Sequence, residues 1–236
     1  MLTSSSSRRQ PWLLAIDTSS EQTGIALING ARAAETVWSA GRDQTTSVLS
    51  EIDCLRRLTG IEVSDLAAIA VATGPGMFNS LRVGMSIAKG FVLGLDAPLI
   101  GVPTLEITAY PFSQHPGHVI ATVAAGRGRL VWAIYGGAPE LWRQLEPPQN
   151  GTLHDLIAIA QALSSQLTIT GELTREQERT LRAATSATIP PQSARLRRPL
   201  ALAEIAWQRF EAGMVDDPVS LEPVYLHPVS RPASVP

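Results

Sequence analysis

"HVIATVAAGRGRLVWAIYGGAPELWRQL", residues 118–145, decides the fold, because its order of elements has already occurred at residues 12–40. It reads as a buried strand, a glycine-containing turn, a second strand, a Gly-Gly turn and a third strand. Some 106 residues earlier, "WLLAID" (12–17), "TGIALING" (23–30) and "AAETVWSA" (33–40) give the same series, matched in element order rather than in identity. The Asn29-Gly30 pair is a hairpin signal, since both central turn positions tolerate positive φ.

Each strand trio leads into helices and parallel-type strands. After the first, "RDQTTSVLSEIDCLRRLTG" places Val48, Leu49, Ile52, Leu55 and Leu58 at helical spacing, with Gly60 as the stop. "LAAIAVATG" (66–74) is apolar without alternation, as in a strand covered on both faces. A helix from about Asn79 to Leu95 and the strand "APLIGV" (97–102) follow. After the second trio, "LHDLIAIAQALSSQ" (153–166) reads as a helix and "LTITG" (167–171) as a strand. "PLALAEIAWQRFEAG" (199–213) reads as a helix with Pro in its first turn and Gly after its last. Two βββαβα-type halves predict an α/β chain of the actin-like (ASKHA, ribonuclease H-like) fold. Its N-terminal lobe spans 11–111 and a degenerate C-terminal lobe 112–229, joined where Pro, Ser, Gln and Gly cluster at 111–117. The polar or Ser/Pro-rich ends, 1–10 and 230–236, are expected to be disordered tails.

With 236 residues, 44% of them hydrophobic, the chain can bury a substantial core, and a net charge of −2 gives no basic field for independent nucleic-acid binding. The single cysteine, Cys54, falls within an amphipathic helix, where a small buried thiol is expected. The polar start "MLTSSSSRRQPW" has no apolar run suited to a signal peptide or membrane span, so a cytoplasmic location is expected. His115, His118, His154 and His227 fall outside any His-x-x-x-His spacing, and no metal is expected.

In active members of this architecture, two β-turns grip nucleotide phosphates, each with a carboxylate near the metal. The first turn here, "DTSSEQTG" (17–24), keeps Asp17, Thr18 and Ser19, which also suit an ordinary tight turn. The second, "TVAAGRGR" (122–129), has Ala124 and Ala125 where a carboxylate would stand, and a hard cation needs oxygen ligands. "VATGPGMFNSLRVGMSIAKGFVLGL" (71–95) carries Gly74 and Gly76 at a strand-to-helix break. They could admit a phosphate, or they could form a turn capped by Asn79; no Lys-Ser/Thr pair makes them a P-loop. The set Asp17, Thr18, Ser19, Gly74 and Gly76 is therefore read as a vestigial phosphate turn, with no cofactor expected. The following helix, apolar on several faces and dotted with Gly84, Ser86, Ala88 and Gly90, is expected to pack against its own sheet and against a second surface.

"LLAIDTSSEQTGIALI", the 71–110 region, "GRGRLVWAIY" and the ending "LEPVYLHP" resemble the TsaB (YeaZ) family of the bacterial tRNA threonylcarbamoyladenosine machinery. The resemblance runs from about Trp12 to Pro228 and is most specific over Gly-Pro-Gly-x-Phe-x-x-Leu-Arg-x-Gly. It implies a non-catalytic scaffold that pairs with its catalytic paralogue TsaD, with TsaE as an ATPase partner, alternatively a homodimer, and tRNA met only through the complex. The interface it implies lies on helices at about Gln44–Leu58 and Asn79–Leu95. The residues nominated are Thr45, Val48, Leu49, Ile52 and Leu55 on the first, and Leu81, Arg82, Met85, Ala88, Lys89 and Val92 on the second. TsaD-like proteins carry a His-x-x-x-His motif in the N-terminal half, absent here. Two departures stand out: "QTTS" (44–47) where the family has His-Ser, and "AAGR" (124–127) where it has Asp-Ala-Arg. The rival reading is an ATP-dependent small-molecule kinase or ATPase built on Asp17 and the Gly-Pro-Gly turn.

Overall fold

Residues 10–41, 44–138, 141–163 and 166–225 are described by a computed structural model. The expected tails, Gln10 apart, and His227 lie outside the described residues. Strand β1 (Trp12–Asp17) is wholly buried and lies at the centre of the first sheet. It pairs antiparallel with β2 (Gln22–Ile28) and parallel with β4 (Leu66–Gly74). Strands β3 (Ala33–Ser39) and β5 (Leu99–Pro103) complete the order β3-β2-β1-β4-β5. The hairpin expected at Asn29-Gly30 forms, but its loop runs over residues 29–32: only Gly30 has positive φ, at +80°, and Asn29 Oδ1 accepts from Arg32 N at 2.7 Å.

Side-chain alternation along β1 assigns the two faces of this sheet. Trp12, Leu14 and Ile16 face one core together with helix α1 (Gln44–Thr59) and helix α2 (Phe78–Leu95). Leu13 and Ala15 face the other, against helix α7 (Pro199–Glu211), which lies in the second half of the chain yet covers the first sheet. Glu35 of β3 holds the start of α7, accepting from Leu200 N at 3.0 Å and pairing with Arg198.

The second sheet runs β10 (Leu167–Gly171), β6 (His118–Ala124), β7 (Leu130–Gly136), β8 (Arg143–Gln144), with β9 (Gln149–Gly151) also on β7. Of the third strand expected within 118–145 only the two-residue β8 forms; pairing with β7 resumes in β9 beyond Pro147-Pro148, because proline cannot donate to a ladder. Helices α4 (Leu153–Ala162) and α5 (Arg175–Ala184) lie beside one face; α3 (Thr104–Ala109) packs on the other. Neither α3 nor α5, nor the short α6 (Gln192–Arg195), was foreseen in the sequence. The first is one and a half turns long, and α5 buries only Leu181, so apolar periodicity had nothing to register.

Three finer expectations are corrected. Helix α2 begins at Phe78 after Met77, with no side-chain cap, so Asn79 lies inside the helix. Cys54 is exposed, because the inward stripe of α1 consists of Val48, Ile52 and Leu55. Most of the apolar residues nominated for an interface, Val48, Ile52, Leu55, Leu81, Met85, Ala88 and Val92, are buried in the chain's own fold, since helical spacing marks the face that meets the sheet first. Ile52→Ala and Leu81→Ala should each lower the unfolding free energy by about 2–5 kcal/mol in urea denaturation. Leu93→Ala, at a side chain 83% exposed, should change it by no more than about 0.5 kcal/mol.

Candidate functional site: a cleft closed by an internal arginine

A cleft of about 510 Å³ lies where the ends of β1 and β10 converge, lined by Ser20, Thr23, Met77, Ala124, Gly171 and Glu172 among others. Asp17 stands at its base, at the end of β1, buried. Its Oδ1 accepts from the backbone N of Ser19 at 2.9 Å and from Ser19 Oγ at 2.6 Å, which is a self-closed Asx turn. Its Oδ2 accepts from Arg197 Nε at 2.6 Å. The same guanidinium donates through Nη1 to Glu172 at 3.1 Å and through Nη2 to Ser19 Oγ and Ser20 Oγ at 2.9 and 3.0 Å. Burial disfavours the charge of Arg197, yet the adjacent carboxylates of Asp17 and Glu172 outweigh it and raise its pKa.

Glu172 also accepts from Ala124 N at 2.9 Å, so it ties the second turn to the same cation. The turn itself closes on its own backbone, Ala125 N to Arg129 O at 3.0 Å, with Arg127 at φ +51°. A divalent cation at Asp17 would have to displace Arg197, and Ala124 and Ala125 offer it no side-chain oxygen. The donor set therefore does not fit a metal-bound nucleotide phosphate. Among the described residues no three His, Cys, Asp or Glu side chains are grouped to hold a metal ion.

The remaining members of the phosphate-turn set are drawn together, by chain packing. A Cβ at Gly76 would collide with the backbone carbonyl of Ser19, and Ser19 O accepts from Met77 N at 2.8 Å. Thr18 Oγ1 donates to Ser80 O at 2.6 Å and occupies the space over Gly84. Gly74, at φ +108°, is approached by Val224 O, whose own N–H donates to Thr73 O at 2.7 Å. The glycines thus serve close backbone approach between the two turns and the C-terminal segment. Gln44, one of the departures from the family pattern, is buried and donates to Thr23 Oγ1 at 2.7 Å, anchoring α1 to the same turn region. Sequence reading missed Glu172 and Arg197; only the lone "TGEL" after β10 hinted at the first.

The outer surface of α1 and α2 is a separate feature. Leu49, Val63, Ile87, Phe91 and Leu95 line an apolar groove of about 460 Å³ together with Gly90 and Gly94. Cβ atoms added at Gly90 or Gly94 would meet nothing within 4 Å among the described residues. Of the remaining nominated residues, Thr45 and Leu49 are exposed, Arg82 lies over the Phe78 ring at 4.3 Å, and Lys89 is half-buried. In the cleft, Arg197→Met should lower stability by about 3–5 kcal/mol, because it leaves Asp17 buried without its cation. Adding Asp17→Asn should recover part of that loss, with a coupling of about 0.5–3 kcal/mol in a urea double-mutant cycle; strict additivity would remove Arg197 from this role.

Residues 39–184 match the family model "TsaD: tRNA N6-adenosine threonylcarbamoyltransferase". The tRNA threonylcarbamoyladenosine biosynthesis protein TsaB of Escherichia coli is 34% identical over 125 residues, 52% of this chain and 54% of that protein. YeaZ from Pseudomonas aeruginosa superposes with a TM-score of 0.76 at 22% identity, over 92% of this chain and all of that one. A Bacteroides thetaiotaomicron protein of actin-like ATPase fold superposes with a TM-score of 0.50 at 11% identity, over 83% of this chain and 96% of that one. These likenesses establish the actin-like fold. The alignments to curated relatives span about half of their length. The match over more than half of the chain shows that it belongs to the family described by the TsaD model, and its curated relatives at 31–34% identity include proteins named TsaB.

Proposed function

We propose that the chain is a non-catalytic scaffold subunit for threonylcarbamoyl transfer to the adenosine beside the tRNA anticodon, binding TsaD and, with it, TsaE. The observation that carries this reading is the outer face of α1 and α2. Gly90 and Gly94 each cost a helix interior about 1 kcal/mol relative to alanine. Neither is required by a neighbour among the described residues, where both face open space. Beside them, Leu49 and Leu93 are 48% and 83% exposed, and Phe91 and Leu95 are only partly covered. An apolar helical face with gaps in its side-chain layer fits a partner helix at close range. Burial of four large apolar side chains there contributes on the order of 1.5–3 kcal/mol each before the cost of association.

This shifts the proposed interface by part of a helical turn from the positions nominated above. Leu49 remains, and Ile87, Gly90, Phe91 and Gly94 replace the buried stripe. The cleft supports the same reading from its opposite side, because Asp17 is already engaged by Arg197 rather than open to a metal. The kinase reading needs that carboxylate free.

Gly90→Leu separates the two requirements. It should leave the isolated chain as stable or up to about 1 kcal/mol more stable, since leucine is the better helix former. Its association with TsaD should weaken by about 30-fold or more in size-exclusion and calorimetric titration, the effect of losing one hot spot. Unchanged association would remove α2 from the interface. ATP turnover by the isolated chain that disappears in Asp17→Ala would instead support the kinase reading.

A further inference from the structure

Away from the cleft and from the outer face of α1 and α2, a groove of about 630 Å³ runs between α5 and the segment that follows it. One wall carries Arg175, Arg179 and Arg182, at i, i+4 and i+7 on α5; the other is Ile189, Pro191 and Gln192. Glu178, the one acidic group in the groove, is fully engaged. Its Oε1 accepts from Arg182 Nε and Nη2 at 3.1 and 2.9 Å, and its Oε2 from the buried Arg195 at 2.5 Å. Those two arginines hold its carboxyl below the usual range, so it stays ionised and committed to them. Arg182 is also fixed by a bond from Nη2 to Ile189 O at 2.5 Å.

Arg175 and Arg179 are different. Both are exposed, and neither has a carboxylate partner among the described residues; Glu176, exposed on the same helix, pairs with neither. Two like charges at i, i+4 on an exposed helix repel each other. The chain therefore keeps two arginines without a carboxylate partner among the described residues, their backbone positions about 6 Å apart along the helix axis, beside a third that is already oriented. Its overall charge is −2, so this is a local reversal of sign. Guanidinium groups suit planar recognition of phosphate oxygens. The groove contains no aromatic ring on which a base could stack, which points to contact with a backbone rather than with bases. An acidic peptide would find only the buried Ile189 and one proline as apolar contacts in this wall.

We propose that this groove is a phosphodiester site, in which Arg175, Arg179 and Arg182 hold the sugar–phosphate backbone of an RNA strand without reading its sequence. The choice of RNA rests on the proposed role beside tRNA, and it adds to that role a direct, weak contact made by this chain itself. Net charge excludes a strong independent affinity, so the contact is measured at low ionic strength. Fluorescence anisotropy of the isolated full chain with an unmodified tRNA transcript, over a salt series, tests it.

Arg175→Gln with Arg179→Gln should weaken binding by about tenfold or more at low salt, and should reduce the slope of log K against log salt by about two. Arg57→Gln with Arg143→Gln removes the same charge elsewhere and should leave the slope unchanged. The proposal is overturned by absent wild-type binding at low salt, by equal affinity of the α5 variant, by an equal loss in the control variant, or by polyglutamate competing as well as tRNA. Failure of the scaffold reading has a separate signature, loss of co-elution of the wild-type chain with TsaD.

Discussion

One guanidinium group joins the two sheets. Arg197 sits between the end of β1 and the end of β10, and its contacts reach Asp17, Ser19 and Ser20 on one side and Glu172 on the other. Taking a cation and a carboxylate out of water costs several kcal/mol per ion, and only near-complete hydrogen bonding offsets it. Here Nε and both Nη nitrogens donate, and lysine could not reproduce that fork. Two residues later Pro199 starts α7, which lies over the first sheet, so the clamp also fixes where the chain returns from the second sheet to the first.

That clamp is one part of a wider hydrogen-bonded set around the cleft. Its polar groups satisfy each other: the Asx turn at Asp17, the Thr18 bond to Ser80, and Gln44 reaching Thr23. The contacts at Gly76 and Gly84 seat the first half of α2 directly on the turn after β1. With its inner side so committed, the face of α2 left over is the one bearing Gly90, Phe91 and Gly94.

The sequence shows the first sheet clearly because its strands are long, continuous and apolar, and because Asn29-Gly30 marks the hairpin unambiguously. The second half is less legible where polar residues do structural work. Helix α5 announces itself only through the capping box from Thr174 to Gln177, and pairing with β7 is interrupted at Pro147-Pro148. Helical spacing along α1 and α2 picks out the face that packs inward, since Val48, Met85 and Val92 satisfy the period by burial in the chain's own core. Arg197 was invisible for another reason: its principal partner lies 180 residues away, and no local pattern encodes a contact of that separation.

The same separation distinguishes this bridge from one made by a ligand. Where two lobes are bridged by a bound nucleotide and its metal, their relative position depends on ligand concentration, because binding energy and lobe closure are linked. A bridge supplied by the chain's own arginine is always present at an effective concentration set by folding alone. The helices that rest on the first sheet are then held in one geometry before a partner arrives. On the proposed scaffold reading, association would draw on that geometry without the additional ordering of mobile lobes, which otherwise subtracts from affinity. A cleft whose buried carboxylate is engaged within the chain and a first sheet whose helices keep one geometry are thus two consequences of the same buried ion network.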